Sequence, residues 1–480
     1  MPQRVILDGL WCGQGMANMV RVFKSTDTDP NTNPADWLCV FDFGSGGLSK
    51  SKKVLGITPP VGFIMQQLKL QQDAGRTPRI DLMLISHQDR DHWALLGELN
   101  DQIVKQKMPV VVGRMILGGA NWRTSSTTVV NKFVKRVLDP GNNVTWYDNE
   151  ASGYYDPSTP VPTLSIGDLQ MSILVTNVAT NDTKEDIDRN CSSAVVLLRL
   201  PAPFSGPGYA FILPGDATWE TFARLRTIME NWPSNPLPFV YAASVPHHGA
   251  LRTMNRNTSV EKPDLRDLIW FTDYVRPTSI YASAGINNTH SHPYRIVLDT
   301  MGKYTSAQQF QQRPIAVFNG TTSKFELLPD IRNNIYTTVL NLTEPAQTAN
   351  WIFNITPTQH STLIQLFKAG VPGILAAPQL SQMELTAQRI NAEREEKDWE
   401  MDTTAIDMAF ASSPVLSGPI IASDGGPFAA ATDFPPMPWP VNRAPAVQAY
   451  HLPQPTAAAA RDEGRRAPPP RRVRVGPTAT

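Results

Sequence analysis

Seven consecutive residues of this chain are rich in side chains that bind metal ions. Residues 86–92 read Ser-His-Gln-Asp-Arg-Asp-His and carry two imidazoles and two carboxylates. On an extended loop, alternate side chains project to one side, which groups His87, Asp89 and Asp91. His87 and Asp89 can hold one divalent ion, and Asp91 with the neighbouring His92 can hold a second. The spacing therefore predicts a two-metal site whose bridging water is the nucleophile of a hydrolysis.

The elements around this segment suit a binding loop. Residues 80–85 are an apolar run typical of a short buried strand, and residues 93–99 are typical of a helix start. The candidate ligands would then lie on a strand-to-helix loop and point into one cavity. A simpler interpretation is a polar loop that caps the helix, with Asp91 near its N-terminus. Further candidates downstream favour the metal site.

Those further candidates are histidines and one aspartate. Six of the eight histidines fall in three close pairs, His87 with His92, His247 with His248, and His290 with His292. A strand-like run at 209–213 ends in Pro-Gly-Asp, so Asp216 is placed to bridge two ions. The alternative for Asp216 is an ordinary turn aspartate.

Taken in chain order, these motifs resemble the metallo-β-lactamase fold. His-x-Asp-x-Asp-His is followed by Gly-Asp at 215–216, Pro-His-His-Gly at 246–249 and His-Pro at 292–293. Within that fold, the chain looks most like the soluble hydrolase domain of ComEC-type DNA-uptake proteins. The turns at 11–15 and 41–44 are similar to those that open that domain, and Asn-Cys-Ser-Ser at 190–193 looks like its Asn-x-Ser strand entry. The resemblance covers about residues 4 to 328.

The resemblance also implies a ligand set and roles. The implied metal ligands are His87, Asp89, Asp91, His92, Asp216 and His247. His248 would lie beside the ions or face the substrate, and it stays open as the ligand in place of His247. Asp91 is expected to orient the attacking water or accept its proton, and His292 to contact or protonate the scissile group. The mixed carboxylate and imidazole set suits two divalent ions, zinc or manganese.

The expected function is metal-dependent hydrolysis by a hydroxide that two metal ions activate. We expect a phosphodiesterase or nuclease that acts on nucleic acid or a nucleotide, because two-metal sites suit in-line displacement. One alternative is hydrolysis of a small ester, lactone or amide on the same fold. The other is a non-catalytic scaffold that recruits protein partners through its C-terminal tail.

The element pattern predicts an α/β fold. Short apolar runs alternate with helical patterns at 61–72, 93–105, 125–137 and 218–231, which suits two sheets between helices. The resemblance implies the αββα four-layer sandwich for this arrangement. We expect a hydrolase domain at 1–330, an extension with a helix near 380–411 at 331–411, and a disordered tail rich in Pro and Ala at 412–480. Arginines near the end of this tail could contact nucleic acid or a protein partner.

Composition limits the partners and the compartment. The 480 residues carry 43 basic and 43 acidic side chains, so nucleic-acid binding must come from local patches rather than net charge. Three cysteines without metal-site spacing favour a reducing cytoplasm over secretion. The N-terminus shows no secretion signal pattern, and no apolar run is long enough for a membrane span. The oligomeric state stays open.

Overall fold

Apolar runs of the sequence form two large β-sheets in the computed structural model of the protein. The structure describes the following residues: 3–45, 57–119, 122, 124–142, 144–147, 151–152, 164–180, 190–201, 208–230, 237–257, 259–285, 290–305, 314–329, 335–340, 342, 348–357, 359–368, 371–376 and 441–443. All of them belong to one compact unit that spans Met1–Ala446.

The strands are named here in chain order. They are β1 (Arg4–Gly9), β2 (Ala17–Phe23), β3 (Trp37–Phe43), β4 (Arg79–Ile80), β5 (Leu82–Ile85), β6 (Val111–Val112), β7 (Met115–Leu117), β8 (Val144–Trp146), β9 (Ala151–Ser152), β10 (Leu164–Ile166), β11 (Leu169–Thr176), β12 (Val195–Leu200), β13 (Tyr209–Leu213), β14 (Phe239–Ser244), β15 (Ser279–Ala282), β16 (Pro314–Asn319), β17 (Lys324–Pro329), β18 (Ile335–Thr337), β19 (Ala349–Ile355), β20 (His360–Lys368), β21 (Val371–Ala376) and β22 (Val441–Arg443).

The α-helices lie between these strands. They are α1 (Pro59–Asp73), α2 (Leu95–Lys105), α3 (Thr124–Val137), α4 (Trp219–Met229), α5 (Leu251–Met254), α6 (Arg266–Val275) and α7 (Arg295–Gly302). Short 3-10 turns occupy Arg90–His92 and Pro246–Gly249. The predicted helices at 61–72, 93–105, 125–137 and 218–231 are confirmed as α1 to α4, with ends that differ by one or two residues. None of the described helices has the length and apolar character of a membrane span.

The strand order explains how distant loops meet. The first sheet runs β21-β20-β19-β1-β2-β3-β5-β7-β8-β22, and the second runs β10-β11-β12-β13-β14-β15-β18 with β9 beside β11. Strand β5 is parallel to β3 and to β7, and β14 is parallel to β13 and to β15. Because parallel strands end at the same edge of a sheet, the loops that follow β3 and β5 are neighbours, as are those after β13, β14 and β15.

Side-chain alternation along the strands separates the core into apolar clusters. On β3, Leu38 and Val40 pack toward α1 to α3, whereas Cys39 and Phe41 belong to a cluster that contains strands of both sheets. Successive side chains of a strand point to opposite faces, so a continuous apolar run is a strand covered on both faces. The second sheet repeats this pattern, and a third cluster joins it to α4, α6 and α7. The result is a mixed α/β protein with helices packed on its sheets.

The strands after residue 330 complete both sheets. β18 pairs in parallel with β15, and β19 pairs antiparallel with β1, where Leu7 lies opposite Phe353. The domain boundary at residue 330 stays a prediction. The helix predicted at 380–411 lies outside the described residues, as does the tail at 412–480 apart from 441–443.

Candidate metal centre

The loop after β5 is fixed by the end of β3. Asp42 follows the parallel partner strand, and its carboxylate accepts hydrogen bonds from the Ser86 backbone N–H at 2.7 Å and the Ser86 hydroxyl at 2.9 Å. The chain then turns through the 3-10 segment Arg90–His92, where the His92 backbone N–H donates to the Asp89 carbonyl at 3.0 Å. These bonds set the direction in which the candidate ligands of this loop project.

A glycine lets a second loop press against the ligand-bearing turn. A Cβ atom on Gly44 would lie 2.0 Å from the carbonyl carbon of Asp91, which is far shorter than any non-bonded contact allows. On the same side, the Met16 backbone N–H donates to the Asp91 carbonyl at 3.0 Å. Any side chain at residue 44 would therefore displace Asp91 and His92, so this position requires glycine.

The loop after β13 delivers Asp216 into the interior. The Asp216 backbone N–H donates to the Ser193 hydroxyl at 3.0 Å. Gly215 adopts a φ of +55°, and a Cβ there would meet that same hydroxyl at 2.3 Å. The carboxylate of Asp216 is consequently held in a buried position, with a side chain only 2 % exposed.

The loop after β14 presents two histidines from an unusual backbone. His247 and His248 have φ values of 45° and 51°, in the left-handed region that residues with a Cβ seldom adopt. The His247 backbone N–H donates to the Gly215 carbonyl at 3.0 Å, which joins this loop to that of Asp216. Such strained positions persist where the surroundings hold them, and they cluster at functional sites.

One oxygen of Asp216 faces a compact group of donors. Its Oδ1 atom lies 3.1 Å from His92 Nε2 and 3.7 Å from His248 Nε2. His248 Nε2 is also 3.3 Å from Asp91 Oδ2. The ligand atoms of Asp91, His92, Asp216 and His248 all lie within 4.8 Å of one another. We call this group the Oδ1 side of the centre.

The other oxygen of Asp216 faces the remaining predicted ligands. Its Oδ2 atom is 3.5 Å from His247 Nε2 and 3.8 Å from His87 Nε2. Asp89 Oδ2 lies 3.7 Å from His87 Nε2. These three residues with Asp216 form what we call the Oδ2 side. All six residues implied as ligands thus contact a common cluster, and His248 contributes to it as well.

His292 lies at the edge of this cluster. Its ring centroid is 5.7 Å from that of His247 and 6.0 Å from that of His248, and it stacks on His290 at 5.4 Å. The side chain is buried. The contact with a scissile group that the resemblance implies for His292 stays a prediction.

Three imidazoles are oriented by partners on their Nδ1 atoms. His92 Nδ1 lies 3.1 Å from Asp42 Oδ2, and His248 Nδ1 donates to the Ser283 carbonyl at 2.7 Å. His87 Nδ1 lies 3.1 Å from the Ser86 hydroxyl. Such partners fix the tautomer and turn the Nε2 lone pair toward a metal.

The inward atoms of the cluster fit a cation. Nε2 of His87, His92 and His248 and Oδ1 of Asp216 are buried, and within the described residues none has a hydrogen-bond partner of acceptable geometry. Buried polar atoms are almost always satisfied, so a group of unsatisfied acceptors facing one another needs another partner. Divalent ions bound by imidazole and carboxylate match this donor set.

The carboxylates and imidazoles of the cluster shift one another's pKa values. Desolvation raises the pKa of Asp91 and of Asp216, but the neighbouring imidazoles outweigh it and hold both pKa values below the usual range. Desolvation lowers the pKa of His92 and of His248, but the carboxylates outweigh it and raise both. Burial lowers the pKa of His292 well below the usual value. The carboxylates and the imidazoles of the cluster therefore stabilise each other's charged forms.

Sequence patterns missed two contributors to this site. Asp42 carries a φ of 52° at the end of β3, and the sequence shows it only as part of the turn at 41–44, without a role. Ser283 acts through its backbone carbonyl, which no residue type reveals. Both act on the Nδ1 atoms of the Oδ1 side.

Comparisons with known proteins assign no family to this chain. No protein-family model matches the chain, and no curated protein matches it. Among solved structures it is similar to YhfI, a metallo-β-lactamase fold protein from Bacillus subtilis, at 10 % identity and a TM-score of 0.32, over 64 % of this chain and 94 % of that one.

Two further solved structures have comparable values. A long form RNase Z from yeast has 8 % identity and a TM-score of 0.32, over 60 % of this chain and 38 % of that one. A diphosphatase of the PhnP family has 10 % identity and a TM-score of 0.29, over 74 % and 99 %. Likeness at this level assigns no family, so the class that fold and site define is a mixed α/β protein with a candidate metal centre.

Proposed function

We propose that the protein is a metal-dependent hydrolase of the metallo-β-lactamase type, with phosphodiesters as substrates. The observation that carries this proposal is the position of Asp216, whose two oxygens face histidines from separate loops at 3.1 to 3.8 Å. A carboxylate with imidazoles on both sides is suited to bridge two divalent ions. The αββα arrangement we propose for the fold is supported by the three apolar clusters, one between each pair of adjacent layers.

Two divalent ions, zinc or manganese, would lower the pKa of a water and stabilise the charge that develops on the scissile group. His87, Asp89, Asp91, His92 and Asp216 would hold them, together with His247 and His248. The inclusion of His248 rests on its short contacts with Asp91 and Asp216. Its Nδ1–H bond to the Ser283 carbonyl leaves Nε2 as the metal-binding atom.

The remaining residues would act on substrate and protons. Asp91 is 23 % exposed and is the carboxylate of the Oδ1 side that solvent reaches, which suits the orientation of an attacking water. His292 would contact the scissile group. Because its pKa is lowered, its imidazole is neutral near pH 7 and would donate an N–H hydrogen bond to the leaving oxygen.

Phosphodiesters are preferred over small esters because a bridged pair of ions can stabilise both the attacking and the leaving oxygen. We further propose a nucleic acid or a nucleotide as the substrate, with the arginines of the tail at 412–480 as an additional contact for it. Ester, lactone or amide hydrolysis remains the second candidate, since a net charge of zero provides no general attraction for polyanions. The free, buried thiols of Cys12, Cys39 and Cys191 support a cytoplasmic location.

A substrate panel tests this proposal. The purified protein is incubated with zinc or manganese and offered bis-p-nitrophenyl phosphate, a labelled oligonucleotide and a chromogenic ester. Asp91→Ala is the test variant, and Asp101→Ala, an exposed aspartate on α2, is the matched control. We expect diester cleavage that Asp101→Ala retains and Asp91→Ala loses. Turnover of the ester alone would favour the second candidate, and no turnover of any substrate would overturn catalysis.

A further inference from the structure

We propose that the two sides of Asp216 bind metal unequally, with the first ion on the Oδ1 side and a weaker, exchangeable ion on the Oδ2 side. This inference rests on the proposed metal-dependent function and assigns an order of occupancy to its residues. Each side offers one further carboxylate and two imidazoles, so ligand type does not distinguish them. The difference lies in how each imidazole is held.

On the Oδ1 side, both imidazoles donate to strong acceptors. His92 Nδ1 lies 3.1 Å from the buried carboxylate of Asp42, and His248 Nδ1 donates to the Ser283 carbonyl at 2.7 Å. Both rings are buried, at 0 % and 1 % exposure. Because Nδ1 of each ring donates to its acceptor, Nε2 is the atom left to bind an ion, and it already faces Asp216 Oδ1 without a change of tautomer.

On the Oδ2 side, the acceptors are weaker or wrongly oriented. The Ser86 hydroxyl donates its proton to Asp42, so it can accept from His87 Nδ1 only as a neutral oxygen, at 3.1 Å. His247 Nδ1 faces the amide nitrogen of Asn190 at 3.5 Å. An amide N–H donates, so this contact favours the proton on Nε2 of His247, the atom that a metal requires. The His247 side chain is also 17 % exposed.

The side chain of Asn190 can provide the acceptor that His247 Nδ1 lacks. It is 3 % exposed, and its Oδ1 atom is buried without a hydrogen-bond partner within the described residues. Rotation of the amide would let Oδ1 accept from His247 Nδ1–H and release the Nε2 lone pair for an ion. The Oδ2 side thus needs a local rearrangement that the Oδ1 side does not, and Asn190 is the positioning residue for it.

The expected difference in metal affinity between the two sides follows from the known effect of hydrogen-bond partners on ligating histidines. Loss of a hydrogen bond behind a ligating histidine lowers metal affinity about 10- to 100-fold. The free metal concentration that half-fills the Oδ2 side should therefore exceed that of the Oδ1 side by about 10-fold or more. Chains purified without chelator and dialysed extensively should retain one ion, and the second should enter when metal is supplied in excess.

Metal binding itself provides the test, independent of activity. The full chain is stripped with chelator and equilibrated at buffered free Zn²⁺ concentrations, and bound zinc per chain is measured by mass spectrometry of the metal. The same is done for Asp89→Ala and Asp91→Ala, with Asp101→Ala as the control and circular dichroism as a check of folding. Asp89→Asn replaces Asp89→Ala if the latter does not fold.

We expect two separated binding steps in the natural sequence. Asp89→Ala should keep the tight step and lose the weak one, whereas Asp91→Ala should lose the tight step. Two steps of equal affinity, or loss of the tight ion in Asp89→Ala, would overturn the inequality while leaving a two-metal hydrolase intact. A chain that binds no zinc at micromolar concentrations would overturn both this inference and the proposed function.

Discussion

The two sides of Asp216 contain the same kinds of ligand but differ in the groups that contact the Nδ1 atoms of their imidazoles. The Oδ1 side has Asp91, His92 and His248, whose rings are backed by Asp42 and by the Ser283 carbonyl. The Oδ2 side has Asp89, His87 and His247, whose rings are backed by a hydroxyl and an amide nitrogen. The comparison teaches that donor type alone does not define a metal site, because the atom behind each imidazole decides where its lone pair points.

Removing the carboxylate shared by the two sides should have the largest effect. Asp216→Asn leaves the shape of the side chain but takes away the charge that bridges both groups. We expect zinc retention to fall to background and kcat/KM for the best diester to drop by about 10³-fold or more. Retention of two ions and full activity in this variant would break the account of Asp216 as the bridge.

Replacing Asp42, the partner of His92 Nδ1, should weaken metal binding selectively on the Oδ1 side. Asp42→Asn removes the negative acceptor of His92 Nδ1 and is expected to lower the affinity of the tight step about 10- to 100-fold. The weak step should move less, because the amide oxygen of the new side chain can still accept from the Ser86 backbone N–H and hold the loop of His87 and Asp89 in place. Competition with a chromophoric chelator measures both steps, and an equal loss in both would contradict the separate support of the two sides.

Acid should release an ion bound on the Oδ1 side. The pKa shifts of the four residues on this side determine how the stability of the fold depends on pH. The raised pKa values of His92 and His248 stabilise the metal-free fold below the ordinary histidine pKa, and this contribution is lost as pH rises through the folded pKa values. The lowered pKa values of Asp91 and Asp216 stabilise it above the ordinary aspartate pKa and are lost as pH falls through the folded values.

Protons and metal compete for the Nε2 atoms of His92 and His248. We therefore expect zinc affinity to fall as pH decreases from 8 toward 6, and calorimetry in buffers of different ionisation enthalpy to detect released protons. Zinc should raise the melting temperature more at pH 8 than at pH 6. A zinc affinity that does not change with pH would contradict competition between protons and zinc at these imidazoles.

The smallest expected change is an increase in metal affinity on the Oδ2 side. Asn190→Asp places a carboxylate oxygen opposite His247 Nδ1, where the natural sequence has an amide nitrogen at 3.5 Å. The weak step should become up to about 10-fold tighter, and the tight step should stay where it is. Asn190→Ala is the control that removes the amide without adding an acceptor. A weaker second ion in Asn190→Asp would show that His247 is positioned by something else.

Much of this arrangement could be predicted from the sequence because contiguous motifs encode it. The loop at 86–92 follows a buried strand, and Pro-Gly-Asp and Pro-His-His-Gly follow two others. Parallel strand ends meet at one edge, so the convergence of these loops follows once the strands are assigned. Helices α1 to α4 were likewise visible as apolar patterns with a helical period.

The rest depends on contacts between distant positions. Asp42 lies 44 residues from the serine it binds, and Ser283 contributes only a backbone oxygen, 35 residues after His248. Both His247 and His248 reach the cluster from left-handed backbone conformations, which their residue type does not encode. The sequence predicts only an extension after residue 330, because the partner of β19, which is β1, is set by packing across nearly the whole chain.

The most direct test of the account is a crystal structure of the zinc-loaded protein with anomalous scattering measured at the zinc edge. We expect two anomalous peaks that flank the carboxylate of Asp216 at about 2.0–2.2 Å from its oxygens, with higher occupancy beside His92 and His248. The absence of any zinc peak within ligand distance of Asp216 would contradict the central claim that this residue bridges a catalytic metal pair.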